Sequence, residues 1–546
     1  MTDRKTAEPA PATMMEKPLL LSQVVDYAKA AFGYQEIVSR ASDGTWETLS
    51  FRDFANRCRK AATALRNVAG VQMGERVATL AWTTRPHLEL YFAVPGIGAV
   101  IHTVNPRYSD SQIIYILNHA ANRVLFVEPD QFERATAFKA HCPALEYVIR
   151  LDEAWDAQVT AADALSEWPE FPETSGSSMC YTSGTTGEPK GVVYSHRSTV
   201  LYTISGLATG KLALGTRACA LLCVPMYHVN GWCKPFQAMV SGAKMVLPGQ
   251  SMSGPALKEM IDAHGVTSGF GVPTVWMGLV EHLRANGLEA GTLRSIGFGG
   301  GRVPRSLLAT LRNDYGVAVE TGYGMTETTT GLGLGSDGPD YWAGSNDQQL
   351  DLLARQRPIF GNELRLDPAG DFAGPDGADT GELQIRGHFV ISSYFDNEAA
   401  DAAAFTEDGW FRTGDIVSFD DIGRLTVEDR LKDLIKSGGE WINSVALEQA
   451  ACRHPEIGDA AVIGLPHPKW AERPLLIASP AVGASLSEDD LTDFLRGAMP
   501  RWWCPDAVVF QKDLPRTATG KTDKKALRAA FSGWHYDDDG TLRQAK

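Results

Sequence analysis

Residues 218–224 read Ala-Cys-Ala-Leu-Leu-Cys-Val, an unbroken apolar run with no position suited to water. A strand of that kind must be covered on both faces, which happens chiefly in parallel sheets flanked by helices. Shorter runs of the same character end at Leu247, Gly269, Gly297 and Val319, and residues 76–82 and 123–127 read likewise. Between them lie helical patterns. Ser50 is placed to cap a helix in which Phe51, Phe54, Cys58, Ala62 and Leu65 recur at helical spacing, with Gly70 just beyond its end. Residues 86–94 predict another. This alternation predicts an α/β fold, with a large multi-layer N-terminal domain built on parallel-rich sheets.

Ligands of such sheets bind where loops leave the carboxyl ends of the strands. Four exits carry unusual residues: Tyr227, His228 and Trp232; Gly271-Val272-Pro273; Gly299-Gly300-Gly301; and Thr321-Gly322-Tyr323-Gly324-Met325-Thr326-Glu327. Each has a plain structural reading. Tyr227 and Trp232 suit a core, His228 can be a satisfied buried histidine, and three glycines can be a turn. The last exit has a sharper chemistry: an aromatic for stacking on a purine, a hydroxyl for a phosphate and a hard oxygen ligand for Mg²⁺.

A different stretch suggests phosphate directly. Thr182-Ser183-Gly184-Thr185-Thr186-Gly187-Glu188-Pro189-Lys190-Gly191 packs hydroxyls and glycines before a lysine. Glycines let backbone amides approach an anion, and successive amides form a concave nest to which hydroxyls and an ammonium add donors. The Walker A spacing is absent.

The balance of 51 basic and 66 acidic residues, net charge -15, disfavours nucleic acid or an anionic membrane as the main partner. The eight cysteines form no C-x-x-C pair, so neither a zinc site nor a disulfide framework is expected. No run approaches the ~20 apolar residues of a membrane span, and a cytoplasmic location is expected. Residues 1–18 read as a flexible tail and 19–430 as the large domain. Residues 431–546 read as a small mobile α+β domain, its strands expected at 460–465, 475–479 and 507–510 and its helices at 446–452 and 488–499. The charged, glycine-rich stretch 430–439 between the two has the composition of a hinge.

Six stations stand in the order found in the acyl-adenylate-forming superfamily, which the chain resembles over nearly its whole length. They are Thr182 to Lys190, Pro225 to Trp232, Tyr323 to Glu327, Thr413-Gly414-Asp415, Asp429 to Gly439, and Pro515 to Lys521. Met226 to Trp232, Lys436-Ser437-Gly438-Gly439-Glu440-Trp441-Ile442 and His467 to Pro474 resemble the fatty-acyl-CoA synthetase branch, which includes ligases for 3-methylmercaptopropionate.

The resemblance implies an ATP-dependent acid–CoA ligase, with ATP, Mg²⁺, coenzyme A and a small carboxylic acid as partners and a homodimer as candidate assembly. Thr182, Ser183, Gly184, Thr185, Thr186, Gly187 and Lys190 would hold the β- and γ-phosphates. Gly300, Gly301, Thr321, Gly322, Tyr323 and Gly324 would belong to the cofactor site, with Tyr323 stacked on the adenine. Thr326 would touch the α-phosphate and Glu327 would bind Mg²⁺. Asp415, with Arg430 nearby, would accept the ribose hydroxyls. Lys521 would bridge the substrate carboxylate and the α-phosphate, and His228 joins it as a catalytic candidate. Lys432 would be the pivot that later presents Lys436, Gly438, Gly439 and Trp441 for the CoA step. Tyr227, Trp232, Gly299 and Arg302 would line the acyl pocket.

Two residues depart from the family pattern. Arg302 follows the glycine turn where a small residue is common, and Lys234 follows Trp232 where an apolar one is usual. These cations either face the pocket, favouring a short, polar or second-carboxylate acid, or point to solvent. A carrier-protein-loading enzyme, a light-emitting oxygenase and a non-catalytic nucleotide binder are the competing readings.

Overall fold

The computed structural model describes residues 12–41, 43–182, 188–210, 212, 214–368, 380–481, 483–517 and 521–544. The phosphate-loop candidates Ser183, Gly184, Thr185, Thr186 and Gly187 lie outside the described residues.

The apolar run at 218–224 forms the strand Cys219–Leu222, buried at every position, in the middle of a thirteen-stranded sheet. Its parallel neighbours are Lys244–Leu247 and Ser268–Gly271, and parallel pairing continues through Ser295–Phe298 to Ala318–Tyr323 and, on the other side, to Glu36–Arg40. Beyond Tyr323 the sheet becomes antiparallel, through Gly333–Leu334, Arg355–Pro358, Leu425–Arg430, Phe411–Phe419, Thr380–Gly387 and Asn362–Pro368. A second sheet of six strands holds Arg76–Leu80, Val100–Thr103, Val124–Val127 and Tyr147–Arg150 in parallel with Gly176–Tyr181, and closes with the antiparallel Gly191–Ser195.

Helices fill the space between these sheets. Phe51–Ala69 begins at Ser50, whose hydroxyl accepts the Asp53 amide at 3.0 Å, and ends at Gly70 in the left-handed conformation that a C-cap requires. Phe54, Cys58, Ala62 and Leu65 are fully buried and pack with Leu21–Phe32 and Arg85–Gly96 in one core. At about 25 cal/mol per Å² of apolar surface, burying each large side chain there stabilises the fold by about 1.5–3 kcal/mol.

The last strand of the thirteen-stranded sheet ends at Arg430, and the next begins a separate sheet. Ile435–Ser437, Glu440–Ile442, Ile457–His467, Ala471–Pro480 and Ala507–Phe510 make five strands, backed by Ser444–Ala451 and Glu488–Ala498. The latter helix starts with a reciprocal capping box between Ser487 and Asp490. Two apolar clusters, one on each face of this sheet, form cores distinct from those of the large lobe. Among the described residues no helix is long and apolar enough to cross a membrane.

Candidate active site

The parallel strands deliver their carboxyl ends to one cleft of about 1820 Å³ with the small lobe across its mouth. The hairpin between Gly176–Tyr181 and Gly191–Ser195 enters it. Thr182 and Lys190 close that hairpin, the Thr182 amide donating to the Lys190 carbonyl at 2.9 Å. Both line the cleft. The Lys190 ammonium sits 4.7 Å from the centre of the Tyr394 ring.

Tyr394 also donates its hydroxyl to the Glu327 carboxylate at 2.8 Å. Burial raises the Glu327 pKa above the ordinary carboxylate value, while this hydrogen bond and the cations Arg430 and Lys190 favour the charged form. Thr326 beside it is fixed through its carbonyl, which accepts the Tyr194 hydroxyl at 2.6 Å. Gly324 precedes them at a place where a Cβ would stand 1.7 Å from the Thr330 carbonyl oxygen, so no other residue fits the turn.

Asp415, 2% exposed, accepts the Tyr323 hydroxyl at 2.6 Å and pairs with the Arg430 guanidinium at 2.8 Å. Strand pairing enforces this, since Asp415 and Arg430 are directly opposite in register. Gly300, Gly301, Thr321, Gly322, Tyr323 and Gly324 line the same part of the cleft.

Lys521 comes from the small lobe. Thr517 and Lys521 close its loop, the Thr517 amide donating to the Lys521 carbonyl at 2.7 Å. The side chain reaches into the cleft, where water still finds it but protein surrounds it. That desolvation, and then the nearby Arg430, lower its pKa to about 8 against the opposing pull of Asp415 and Glu327. His228 is close enough to feel Lys521; burial first and that charge second bring its pKa down to about 4. Neutral pH therefore leaves His228 uncharged.

Trp232 is carried by an unusual backbone. Val229, Asn230, Gly231, Trp232 and Cys233 all have positive φ, between 37° and 61°. Such a run costs roughly 1–2 kcal/mol per non-glycine residue. Asn230 holds it: its oxygen accepts the Thr103 hydroxyl at 3.1 Å and the Cys180 thiol at 2.8 Å, and its amide donates to Ser178. The indole lies against Gly299, where a Cβ would come 2.9 Å from the ring.

Tyr227, expected in the acyl pocket, does not line the cleft. It is 5% exposed and sits edge-on to Trp82 with ring centres 5.9 Å apart. A turn in which the His228 amide donates to the Pro225 carbonyl at 3.0 Å sends neighbouring Tyr227 and His228 to different surroundings, so the core reading of the tyrosine holds. Arg302 lines the cleft on its solvent-accessible side, where desolvation lowers its pKa to about 10 while Glu448, Glu428 and Asp429 pull it up. Lys432 lines the cleft between the two lobes. Lys436, Gly438, Gly439 and Trp441 do not line it. They form the hairpin of the small sheet, Lys436 lying 5.1 Å over the Trp441 ring and Gly438 and Gly439 making its turn.

Tyr394, Tyr194 and Asn230 were not singled out from sequence. Each acts through a partner at least fifty positions away along the chain, and no local spacing signals that.

A sequence profile for AMP-binding enzymes matches residues 27–395, and one for the AMP-binding enzyme C-terminal domain matches residues 446–521. A 3-methylmercaptopropionyl-CoA ligase of Ruegeria lacuscaerulensis is 42% identical over 537 residues, covering 95% of this chain and 98% of that one. A long-chain-fatty-acid–CoA ligase of Thermus thermophilus is 41% identical over 531 residues, covering 96% and 98%. The crystal structure of an anthranilate CoA ligase in complex with anthranoyl-AMP shares the fold, with a TM-score of 0.81, 22% identity, and 94% of this chain and 98% of that chain covered. The chain belongs to the AMP-binding enzyme family.

Proposed function

We propose that the chain is an ATP-dependent carboxylic acid–CoA ligase that makes an acyl-adenylate, releases pyrophosphate and transfers the acyl group to CoA. The observation that carries this reading is the convergence of Lys521, Arg430, Asp415 and Glu327 on one cleft from two lobes. Lys521 has no carboxylate within ion-pair distance among the described residues, which leaves its ammonium open to an anion.

The residues fit ATP. Asp415 is an acceptor-only carboxylate and suits a vicinal diol. Tyr323 and the glycines beside it line the cleft and are assigned to the adenine. Thr182 and Lys190, with the hydroxyls of Ser183, Thr185 and Thr186, are assigned to the β- and γ-phosphates, and Thr326 to the α-phosphate. No cluster of three or more His, Cys, Asp or Glu able to hold a metal ion occurs among the described residues. The single carboxylate of Glu327 fits a metal that arrives with phosphates, as Mg²⁺ does. When bound, Mg²⁺ would neutralise phosphate charge.

A carboxylate attacking a triphosphate meets like charge. Lys521 is assigned to hold the carboxylate oxygen against the α-phosphate and to stabilise the in-line transition state. His228, neutral and beside it, is assigned to orient the acid. The CoA sulfur, an intrinsically strong nucleophile once ionised, then attacks the carbonyl of the mixed anhydride, forming the thioester and displacing AMP. We assign residues 431–546 as a mobile unit that turns about Lys432 after adenylation. Lys521 would then leave the cleft, and Gly438, Gly439, Trp441 and Lys436 would enter to receive CoA.

The acid is aliphatic, fatty or short, in line with the two relatives above. Pyrophosphate release across a panel of acids, followed by thioester formation with free CoA, tests the proposal. Acid-dependent release and an acyl-CoA product are expected. Release with no transfer to CoA would favour a carrier-loading enzyme, and no acid-dependent release would overturn the proposal.

A further inference from the structure

Of the two departures from the family pattern, the structure separates one from the other. Arg302 faces the carboxylates of the small lobe and the stretch that leads into it. Lys234 faces inward.

Leu222, Phe270, Gly297 and Glu320 are register partners across four adjacent strands and form one row on the sheet. Gly322 lies two residues further along its strand, on the same face, and Gly299 just past the end of the strand Ser295–Phe298. Trp232 covers Gly299, and the Phe270 ring leans over Gly297, where a Cβ would come 2.7 Å from it. Lys234 follows the left-handed turn and opens the helix Lys234–Ser241, which packs on this side of the sheet. Its ammonium rests 4.3 Å over the Phe270 ring. Lys234, Phe270, Gly297 and Glu320 all line the cleft.

An ammonium has three donors. Among the described residues one acceptor serves it, the Gln237 side-chain oxygen at 2.8 Å, and no carboxylate lies within ion-pair distance. Gln237 is 1% exposed, and its amide nitrogen has no partner among the described residues. The glutamine is thus oriented toward the lysine and leaves its own donor unmet. Desolvation lowers the Lys234 pKa to about 8, with Glu320 opposing. A half-buried cation in the cleft lining, set against an aromatic ring, is costly unless something else accepts from it.

We infer that Lys234 is a specificity-determining residue that donates to a hydrogen-bond acceptor at the far end of the acid. This rests on the ligase reading above. The substrate class is an aliphatic acid with a polar tip, a carbonyl or hydroxyl oxygen.

The test compares kcat/KM for acyl-CoA formation on matched acids of equal length. One is a plain alkyl acid, one carries a distal ketone or hydroxyl, and one a distal carboxylate. The wild type is expected to prefer the acceptor-tipped acids over the plain one by on the order of tenfold to a hundredfold. The order of the two acceptor arms separates neutral from anionic tips. Lys234→Leu is expected to reverse the preference toward the plain acid, and Lys234→Met gives the same readout should leucine impair folding. Preference for the plain acid in the wild type, or an unchanged ratio in both variants, would overturn the inference while leaving the ligase reading intact. Failure of every acid to support pyrophosphate release would instead count against that reading.

Discussion

The Cys180 thiol donates to the Asn230 side-chain oxygen at 2.8 Å, tying the turn that carries Trp232 to the strand that leads into Thr182. One amide therefore holds two parts of the cleft in register. It also holds five successive residues in the left-handed region, where only one of them is glycine.

Asn230→Ala removes the acceptor of two buried donors and frees the turn. Each buried group left without a partner costs about 1–3 kcal/mol. The expected result is a lower denaturation midpoint, with a larger loss in kcat/KM for the acid than for ATP, because the turn carries Trp232 directly, whereas the strand before Thr182 keeps its own pairing with Gly191–Ser195 when the Asn230 tie is lost. Denaturant titration and steady-state kinetics on both substrates check this. Equal loss for ATP and acid would show that Asn230 supports only the general fold.

Asp415→Ala leaves Arg430 without its paired carboxylate and Tyr323 without its acceptor. The Arg430 side chain is 41% exposed, so solvent screens part of the loss. At about 1.5–3 kcal/mol for a hydrogen bond to a charged group, the KM for ATP is expected to rise by roughly tenfold or more. Calorimetric titration with ATP checks it, and unchanged nucleotide affinity would remove Asp415 from the nucleotide site.

Much of this arrangement was readable from the chain. The helix Phe51–Ala69 announces itself because its cap, apolar stripe and terminal glycine are local. The strands were legible in their apolar runs but not to the residue at their ends: Leu247 holds, whereas those expected to end at Gly269, Gly297 and Val319 run on to Gly271, Phe298 and Tyr323. The Gly299-Gly300-Gly301 and Thr321 to Glu327 exits do meet in one cleft. Tyr227 misled because an aromatic beside a histidine at a strand exit looks the same whether the turn sends it to the core or to the pocket. Lys521 carries no local signal, since a lysine after glycine is ordinarily solvated, and only the order of the six stations pointed to it. Tyr394 was invisible because its two neighbours, Glu327 and Lys190, are far away along the chain. The inward direction of Lys234 depends on the left-handed turn before it, which no residue pattern announces.

The charge of Lys521 gives a pH signature. Its free-enzyme pKa of about 8 means that raising pH through this value removes the proton the adenylation step needs. The kcat/KM for ATP is expected to fall above pH about 8, while the fall in kcat moves to higher pH, because bound phosphates favour the ammonium. Lys521→Arg should abolish this limb whatever its remaining rate. On stability the sign is opposite. Between pH about 8 and 10.5 the unfolded chain binds more protons at Lys521 and Lys234, so their contribution to folding rises with pH. A limb that persists in Lys521→Arg would assign the titration to another group.

The central claim is that the Lys521 ammonium, brought from the small lobe, serves adenylation and then departs. Measuring the two half-reactions separately in Lys521→Ala tests it most directly. Pyrophosphate release on forming acyl-AMP is expected to fall by on the order of a hundredfold to a thousandfold. Thioester formation from supplied acyl-AMP and CoA is expected to remain close to the wild-type rate. Equal loss in both half-reactions would contradict the account.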